Sequence, residues 1–168
     1  MMEGRTPAAG TLVDVGGGTG VGTREAVRTA PAGAYARCVV LDPQRGMLLR
    51  GSRKWKPGPA IAWVRGAGDR LPLPDASVDL LVSFGVLCCM EESDVPRAVS
   101  ELFRVTRAGG FCLLGVPKGW AAFTDPLFRG AGFSAVRQQR PGRVLYQRPP
   151  PSPTVGGGSP SNGLSPPA

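Results

Sequence analysis

Short, largely apolar runs alternate along the chain with segments in which apolar residues recur at helical spacing. The runs do not alternate between apolar and polar positions, as a strand with one solvated face would. A continuous apolar run is typical of a strand in a parallel sheet, because helices cover both faces of such a sheet. The predicted strands are Thr11–Val15, Arg37–Leu41, Ile61–Val64, Val78–Leu87 and Phe111–Val116.

The segments between these runs predict helices. Two helices are expected over Gly22–Ala30 and Gln44–Trp55. A third is expected to begin at Ser93, because serine favours the N-cap position. Apolar residues then recur at helical spacing from Val95 to Val105, and Gly109-Gly110 is predicted to end this helix.

The last part of the patterned sequence predicts a different arrangement. Thr124–Pro126 is expected to start a short helix, because proline is tolerated in a first turn. Two strands, Phe133–Gln139 and Arg143–Gln147, flank the favourable turn pair Pro141-Gly142 and should form an antiparallel hairpin. The whole pattern predicts an α/β fold, with a doubly wound, seven-stranded, mostly parallel sheet that carries a C-terminal antiparallel hairpin.

The ends of the chain differ in composition from its middle. Of the 168 residues, 25 are Gly and 18 are Pro, and many of them lie in the uncharged segment Pro149–Ala168. Such a segment buries too little surface to offset its ordering entropy, so we expect one domain over residues 1–148 and a disordered tail over residues 149–168. Met1–Gly10 has no apolar signal stretch, and the run Leu80–Met90 is too short to span a membrane, which favours a cytoplasmic location without membrane contact.

Charge and reactive side chains exclude several kinds of site. The chain has 20 Lys and Arg against 12 Asp and Glu, a net charge of +8, which suits contact with RNA or an acidic protein and equally suits solvated surfaces. There is no histidine, so a histidine base and most zinc sites are excluded, and no metal is expected. The cysteines lack metal-ligand spacing, and we expect reduced, mostly buried thiols at Cys38, Cys88, Cys89 and Cys112.

A glycine-rich segment joins the first predicted strand to the first predicted helix. Glycine lets a backbone turn sharply and approach a ligand closely, and a helix N-terminus offers free N–H groups to that ligand. A dinucleotide site needs G-x-G-x-x-G, and Val21 and Thr23 occupy the place of its third glycine in the two possible registers. The pattern that does fit is D-x-G-x-G-x-G, at Asp14, Gly16, Gly18 and Gly20.

Three more segments follow in a fixed order. Asp42 ends the second predicted strand, where a carboxylate offers two acceptor oxygens to the hydroxyls of a ribose and could also cap the next helix. Residues 68–80 read GDRLPLPDASVDL, in which Asp69 could otherwise be a simple turn residue, and residues 101–110 read ELFRVTRAGG.

These four segments together resemble the motifs of class I S-adenosylmethionine (SAM)-dependent methyltransferases, of the small type similar to ubiquinone/menaquinone-biosynthesis enzymes. The resemblance spans about residues 11–148 and departs from the family at Ala108, where a proline is usual. It implies a Rossmann-like fold and SAM as cofactor. It also implies that Asp14 lies near the methionine amino group, Asp42 on the ribose, and Asp69 and Arg70 around the adenine. The remaining implied residues are the loop glycines Gly16, Gly18 and Gly20, and Ser83 and Phe84 at the methionine end.

The residues that would select and activate a methyl acceptor are not identified by the sequence. Relatives usually have a helical segment before the first strand that closes over the site, whereas only Met1–Gly10 precede it here. We therefore expect an open site, which a large substrate such as RNA or a protein, a partner subunit or a second copy of the chain would cover, unless the chain is truncated at its start codon. The alternative to a methyltransferase is a SAM-binding subunit without catalytic activity.

Overall fold

The computed structural model describes residues 10–55, 60–140 and 142–152, and within these ranges strands and helices alternate. The strands are β1 (Gly10–Val15), β2 (Tyr35–Asp42), β3 (Ile61–Arg65), β4 (Val78–Phe84), β5 (Thr106–Gly115), β6 (Ser134–Arg140) and β7 (Arg143–Gln147). The helices are α1 (Val21–Thr29), α2 (Arg45–Lys54), α3 (Val95–Val105) and α4 (Ala121–Gly130).

The strands form one seven-stranded sheet in the order β3-β2-β1-β4-β5-β7-β6. The five strands from β3 to β5 are parallel, and β7 pairs antiparallel with both β5 and β6. This confirms the predicted doubly wound α/β fold and its C-terminal hairpin. The strand order reverses between β1 and β4, and ligands of such sheets bind in the crevice at the carboxyl ends of these strands.

The two faces of the sheet are covered unequally. On one face, α3 and α4 pack over a core in which Leu81, Leu114 and Tyr146 are fully buried. On the other face, α1 covers Leu12 and Val82, and α2 lies over β2 and β3. Toward β5 and β7 this second face keeps apolar side chains that are only partly buried, namely Leu80, Leu113 and Leu145.

The third predicted helix differs from the observed α3 at both ends. It begins at Val95 after Asp94, not at Ser93, and no side chain caps its first turn. The prediction that Gly109-Gly110 ends it is wrong, because α3 ends at Val105 and β5 runs straight on through both glycines. Gly110 instead allows β5 to lie close to β4, since a Cβ there would lie 3.0 Å from the carbonyl oxygen of Val78 on β4.

The fourth helix begins earlier than predicted. We expected Thr124–Pro126 to start it, but α4 starts at Ala121 and contains Pro126 in its interior. Trp120 explains the earlier start, because its carbonyl accepts hydrogen bonds from both the N–H (2.9 Å) and the hydroxyl (3.1 Å) of Thr124. Its ring also packs edge-to-face on Phe123, with centroids 5.5 Å apart.

Parts of three predictions lie outside the described residues. They concern residues 1–9, Pro141 of the hairpin turn, and residues 153–168 of the expected tail. Within the described ranges, no helix is long and apolar enough to cross a membrane.

Candidate cofactor site

The loop between β1 and α1 has a backbone that only glycine adopts easily. Gly16, Gly18 and Gly20 have φ of 67°, 55° and 76°, in the left-handed region where a Cβ causes strain. Gly16 also lies against Val86, because a Cβ at Gly16 would come within 2.2 Å of the Val86 side chain. The three predicted loop glycines are therefore required by the shape of the loop.

Asp42 holds this loop from the end of β2. Its Oδ2 accepts a hydrogen bond from the N–H of Gly18 (3.0 Å), and its Oδ1 accepts one from the N–H of Gln44 (2.8 Å). The side chain is buried, and each oxygen keeps a second acceptor position. Asp42 therefore both fixes the glycine loop and retains the capacity to bind two hydroxyl groups.

Asp14, at the end of β1, lies behind the loop and is held by Thr23. The N–H and the hydroxyl of Thr23 both donate to Oδ2 of Asp14, each at 2.9 Å. Burial raises the pKa of Asp14 from 3.8 to about 6, opposed by the two Thr23 hydrogen bonds and assisted by repulsion from Asp42. Oδ1 has no hydrogen-bond partner among the described residues, and Asp14 lines an open cavity.

No motif in the sequence indicates that residues of α1 hold Asp14. From the sequence pattern, Thr23 is only the residue that breaks the dinucleotide motif. Gly22 is equally important, because a Cβ there would lie 2.9 Å from Oδ2 of Asp14. The spacing of Gly22 and Thr23 after the loop is the only signal that could have identified this pair.

A cavity of about 750 Å³ extends from the glycine loop along α1. The end of the cavity at the glycine loop is lined by Asp14, Gly16 and Gly17, with Phe84 and Arg143 beside them. Its floor is the partly covered face of the sheet, and its wall is the side of α1 that faces the sheet. This size is in the range of small-molecule sites, and the mixture of an apolar floor with a few polar groups is typical of them.

Ser83 and Phe84 point to different sides of β4. Phe84 lines the cavity. Ser83 is buried on the opposite face, because successive strand residues alternate, and its hydroxyl has no partner among the described residues. Only Phe84 of this pair is therefore positioned beside the glycine loop.

Asp69 and Arg70 lie in the connection between β3 and β4, outside the 750 Å³ cavity. The Asp69 carboxylate pairs with Arg97 of α3 at 2.6 Å, while Arg70 is exposed. The preceding Gly68 brings this connection near the end of β1, since its Cβ position is 3.6 Å from Val15. The segment thus borders the site, with the Asp69 carboxylate held by α3.

The short 3-10 turn after β4 carries two adjacent cysteines, Cys88 and Cys89. Burial raises the pKa of the Cys88 thiol, and Cys89 is exposed. Among the residues that the structure describes, no group of three or more His, Cys, Asp or Glu side chains could hold a metal ion.

Known proteins of similar sequence identify the family of this chain. The family described as "Methyltransferase domain" matches residues 13–114. A ubiquinone/menaquinone biosynthesis C-methyltransferase, UbiE, of Rubrivivax gelatinosus is 37% identical over 120 residues, which cover 68% of this chain and 43% of that protein. A malonyl-(acyl-carrier protein) O-methyltransferase of Methylococcus capsulatus is 39% identical over 105 residues, covering 62% of this chain and 36% of that protein. The chain thus spans less than half the length of either relative.

Solved structures share the fold. A structure from Haloferax volcanii, a methyltransferase in complex with the Trm112 methyltransferase activator, superposes with a TM-score of 0.70 at 18% identity and covers 86% of both chains. The family match covers β1 to β5 and includes the glycine loop, Asp42 and Asp69. The chain therefore belongs to the class I SAM-dependent methyltransferases of the type 11 methyltransferase-domain family.

Proposed function

We propose that this chain binds SAM and transfers its methyl group to an acceptor molecule. The observation that carries the proposal is the glycine loop at residues 16–20, which has left-handed glycines and is tied through Gly18 to the buried Asp42. Val21 and Gly22, in the first turn of α1, line the cavity, and a helix N-terminus offers free N–H groups to a ligand. The acid at the end of β2 then adds two hydroxyl acceptors beside them.

The residues present suit an adenosyl sulfonium ligand with an amino-acid end. Asp42 would accept the ribose hydroxyls, because each of its oxygens makes only one hydrogen bond among the described residues. Oδ1 of Asp14 would accept from the ammonium group, and Phe84 would border the methionine end. A side chain at Gly18 would fill the space between Met47 and Asp42, since the Cβ position at Gly18 is 3.1 Å from Cε of Met47 and 3.9 Å from Oδ2 of Asp42.

Methyl transfer from a sulfonium requires mainly that the protein position the two reactants. When bound, the sulfonium supplies an activated methyl group, whose C–S bond breaks as the bond to the acceptor forms, with S-adenosylhomocysteine as the second product. The chain then contributes by aligning both reactants and by limiting water around them. Since the sequence has no histidine, an acceptor that needs no histidine base suits this site.

The relatives' names point to carbon or oxygen as the methylated atom, and we propose the same choice here. We also propose a partner subunit, in line with the activator that accompanies the Haloferax volcanii relative. It would cover the open side of the 750 Å³ cavity, whose floor includes the partly buried Leu80 and Leu113. This open side also favours the second candidate, a SAM-binding subunit that supports catalysis by a partner.

Binding of S-adenosylhomocysteine to the full chain, measured by calorimetry, tests the cofactor part of the proposal. Wild type should bind, and Gly18→Val and Asp42→Ala should each weaken binding by about tenfold or more, because each removes polar contacts or the space for the ligand. The matched control is Gly46→Ala on α2, where a Cβ meets nothing within 4 Å and φ is not positive. Binding that the control preserves and the two site variants lose would support the site.

Transfer is tested by incubating the chain with methyl-labelled SAM and with separated RNA, protein and small-molecule fractions of a cell extract. Label in any fraction supports a methyltransferase. Cofactor binding without label in any fraction would favour the non-catalytic subunit instead. Absence of binding to wild type would reject both candidates.

A further inference from the structure

Three neighbouring strands place Phe84, Gly115 and Arg143 in one row at the carboxyl ends of β4 and β5. Phe84 pairs with Gly115 across β4 and β5, and Gly115 pairs with Arg143 across β5 and β7. Paired residues share a face of the sheet, so the side chains of Phe84 and Arg143 stand on either side of Gly115. This row lies directly beside the glycine loop, at the same end of the cavity.

Gly115 allows the two flanking side chains to meet. A Cβ at Gly115 would lie 2.3 Å from Cδ1 of Phe84, so the phenyl ring occupies the space above the glycine. The guanidinium carbon of Arg143 lies 5.1 Å from the centre of that ring, which is a cation–π distance. This cation–π contact restrains the guanidinium group, whose N–H donors make no hydrogen bond to the described residues.

Arg143 forms no salt bridge among the described residues, although its charge, after the hydrogen bond from Arg28, helps to lower the pKa of Glu25 in the same cavity. Arg28, Arg97, Arg104, Arg107 and Arg129 each pair with a carboxylate, and Arg143 pairs with none among the described residues. Glu25, which lines the same cavity, is bound to Arg28 at 2.6 Å. An arginine with free donors is a good receptor for a carboxylate or a phosphate, which it can bind through two parallel hydrogen bonds.

Arg143 also stands between two compartments. It lines the cavity that contains Asp14 and the loop glycines, and it lines a shallow depression of about 410 Å³ with Val116 and Pro117. A molecule bound in the depression would therefore meet the guanidinium before it reaches the glycine loop. An anion at this position would also offset the repulsion between Arg143 and a cationic sulfonium.

We propose that Arg143, in cation–π contact with Phe84 beside Gly115, is the residue that selects the methyl acceptor, by binding an oxyanion group of that acceptor, a carboxylate or a phosphate. The proposal rests on the proposed function, because it places the acceptor beside a bound cofactor. It assigns the acceptor to the class of anionic molecules with an apolar part that fits against Phe84.

Small aromatic probes test the proposal on the full chain saturated with S-adenosylhomocysteine. Benzoate, phenyl phosphate and benzamide share a ring and differ in charge, and their binding is followed by nuclear magnetic resonance. Wild type should bind benzoate or phenyl phosphate about tenfold more tightly than benzamide, as expected for a charged hydrogen-bond pair, and the tighter of the two identifies the oxyanion. Equal binding of all three probes would overturn the proposal.

Three variants locate the effect. Arg143→Gln should abolish the preference for the anions and Arg143→Lys should retain part of it, whereas Gly115→Ala should weaken it by displacing the Phe84 ring while keeping the charge. Arg50→Gln, at an exposed arginine of α2, is the matched control and should behave as wild type. S-adenosylhomocysteine affinity should stay within about twofold in Arg143→Gln, because this residue is assigned to the acceptor.

The outcomes separate this proposal from the proposed function. Loss of S-adenosylhomocysteine binding in Arg143→Gln would assign the residue to the cofactor carboxylate and overturn the inference alone. A labelled product of methyl transfer that passes an anion-exchange column without retention would do the same. Wild type that fails to bind S-adenosylhomocysteine would instead reject the cofactor site on which both depend.

Discussion

Burial of the Asp14 carboxylate costs folding free energy, so replacing Asp14 by asparagine should stabilise the ligand-free protein. Its carboxyl is buried and its pKa rises from 3.8 to about 6. Asp14→Asn keeps an oxygen that can accept from Thr23 and removes the buried charge. A difference of about two pKa units corresponds to ~3 kcal/mol of unfolding free energy, at ~1.4 kcal/mol per unit.

The sign follows from proton binding. Because the pKa is higher in the folded state than in the unfolded state, the folded chain binds more protons between pH 3.8 and about 6. Stability from this group is therefore greatest below pH 3.8, falls as the pH rises through that window, and is constant above it. Asp14→Asn should be more stable than wild type by up to ~3 kcal/mol at pH 7.5, with the difference shrinking markedly by pH 4.5.

Urea unfolding of both proteins at pH 4.5 and pH 7.5 measures this difference, and Glu92→Gln, at an exposed carboxylate, serves as control. The control should leave stability nearly unchanged at both pH values. The reasoning fails if Asp14→Asn changes stability equally at the two pH values, or destabilises the protein at pH 7.5. Calorimetry at pH 7.5 should in addition show about tenfold weaker S-adenosylhomocysteine binding, because the charge that costs stability is the one that meets the ammonium group.

Three further predictions concern other parts of the molecule. Thr23→Val removes one hydrogen bond to Asp14 and should raise the pH at which S-adenosylhomocysteine affinity falls by half, measured by calorimetry across pH 5–8; an unchanged midpoint would argue against the role of Thr23. Arg104→Ala removes hydrogen bonds that join α3 to the β3–β4 connection and should lower the unfolding free energy by about 1–3 kcal/mol in urea, with cofactor affinity retained. Under native conditions, Cys89 should react first with a colorimetric disulfide reagent and Cys112 only on unfolding, because burial raises the pKa of Cys112; simultaneous reaction would contradict the burial.

The strands were the most predictable part of this fold. Apolar runs such as Arg37–Leu41 mark β2 because a strand covered on both faces has no polar alternation to obscure it, and Asp42 follows directly at its end. Helix ends were less predictable, since Gly110 satisfies a close approach to β4 rather than a helix stop. Glycine occurs both at helix ends and in strands that lie close to a neighbouring strand, and only the tertiary contact distinguishes the two cases.

The candidate site likewise contains residues that could be predicted from the sequence and residues that could not. The glycine loop and Asp42 could be predicted because their conformation and chemistry depend on residue type at short spacing. Arg143 could not, because its position beside Phe84 is created by the register of β7 on β5. Residues that meet only through strand pairing leave no local signal in the sequence.

The position of β7 has a consequence for how the protein is made. Among the described strands β7 comes last in the chain, yet it lies inside the sheet between β5 and β6. Asp42 and Arg143 are about 100 residues apart, so at ~5–20 residues per second the glycine loop is synthesised roughly 5–20 s before Arg143. β5 ends at Gly115, so its edge, which can pair with other chains, stays open for roughly 1–6 s before β7 begins. The glycine loop and Asp42 are therefore synthesised before Arg143, and the edge of β5 stays open to other chains until β7 follows.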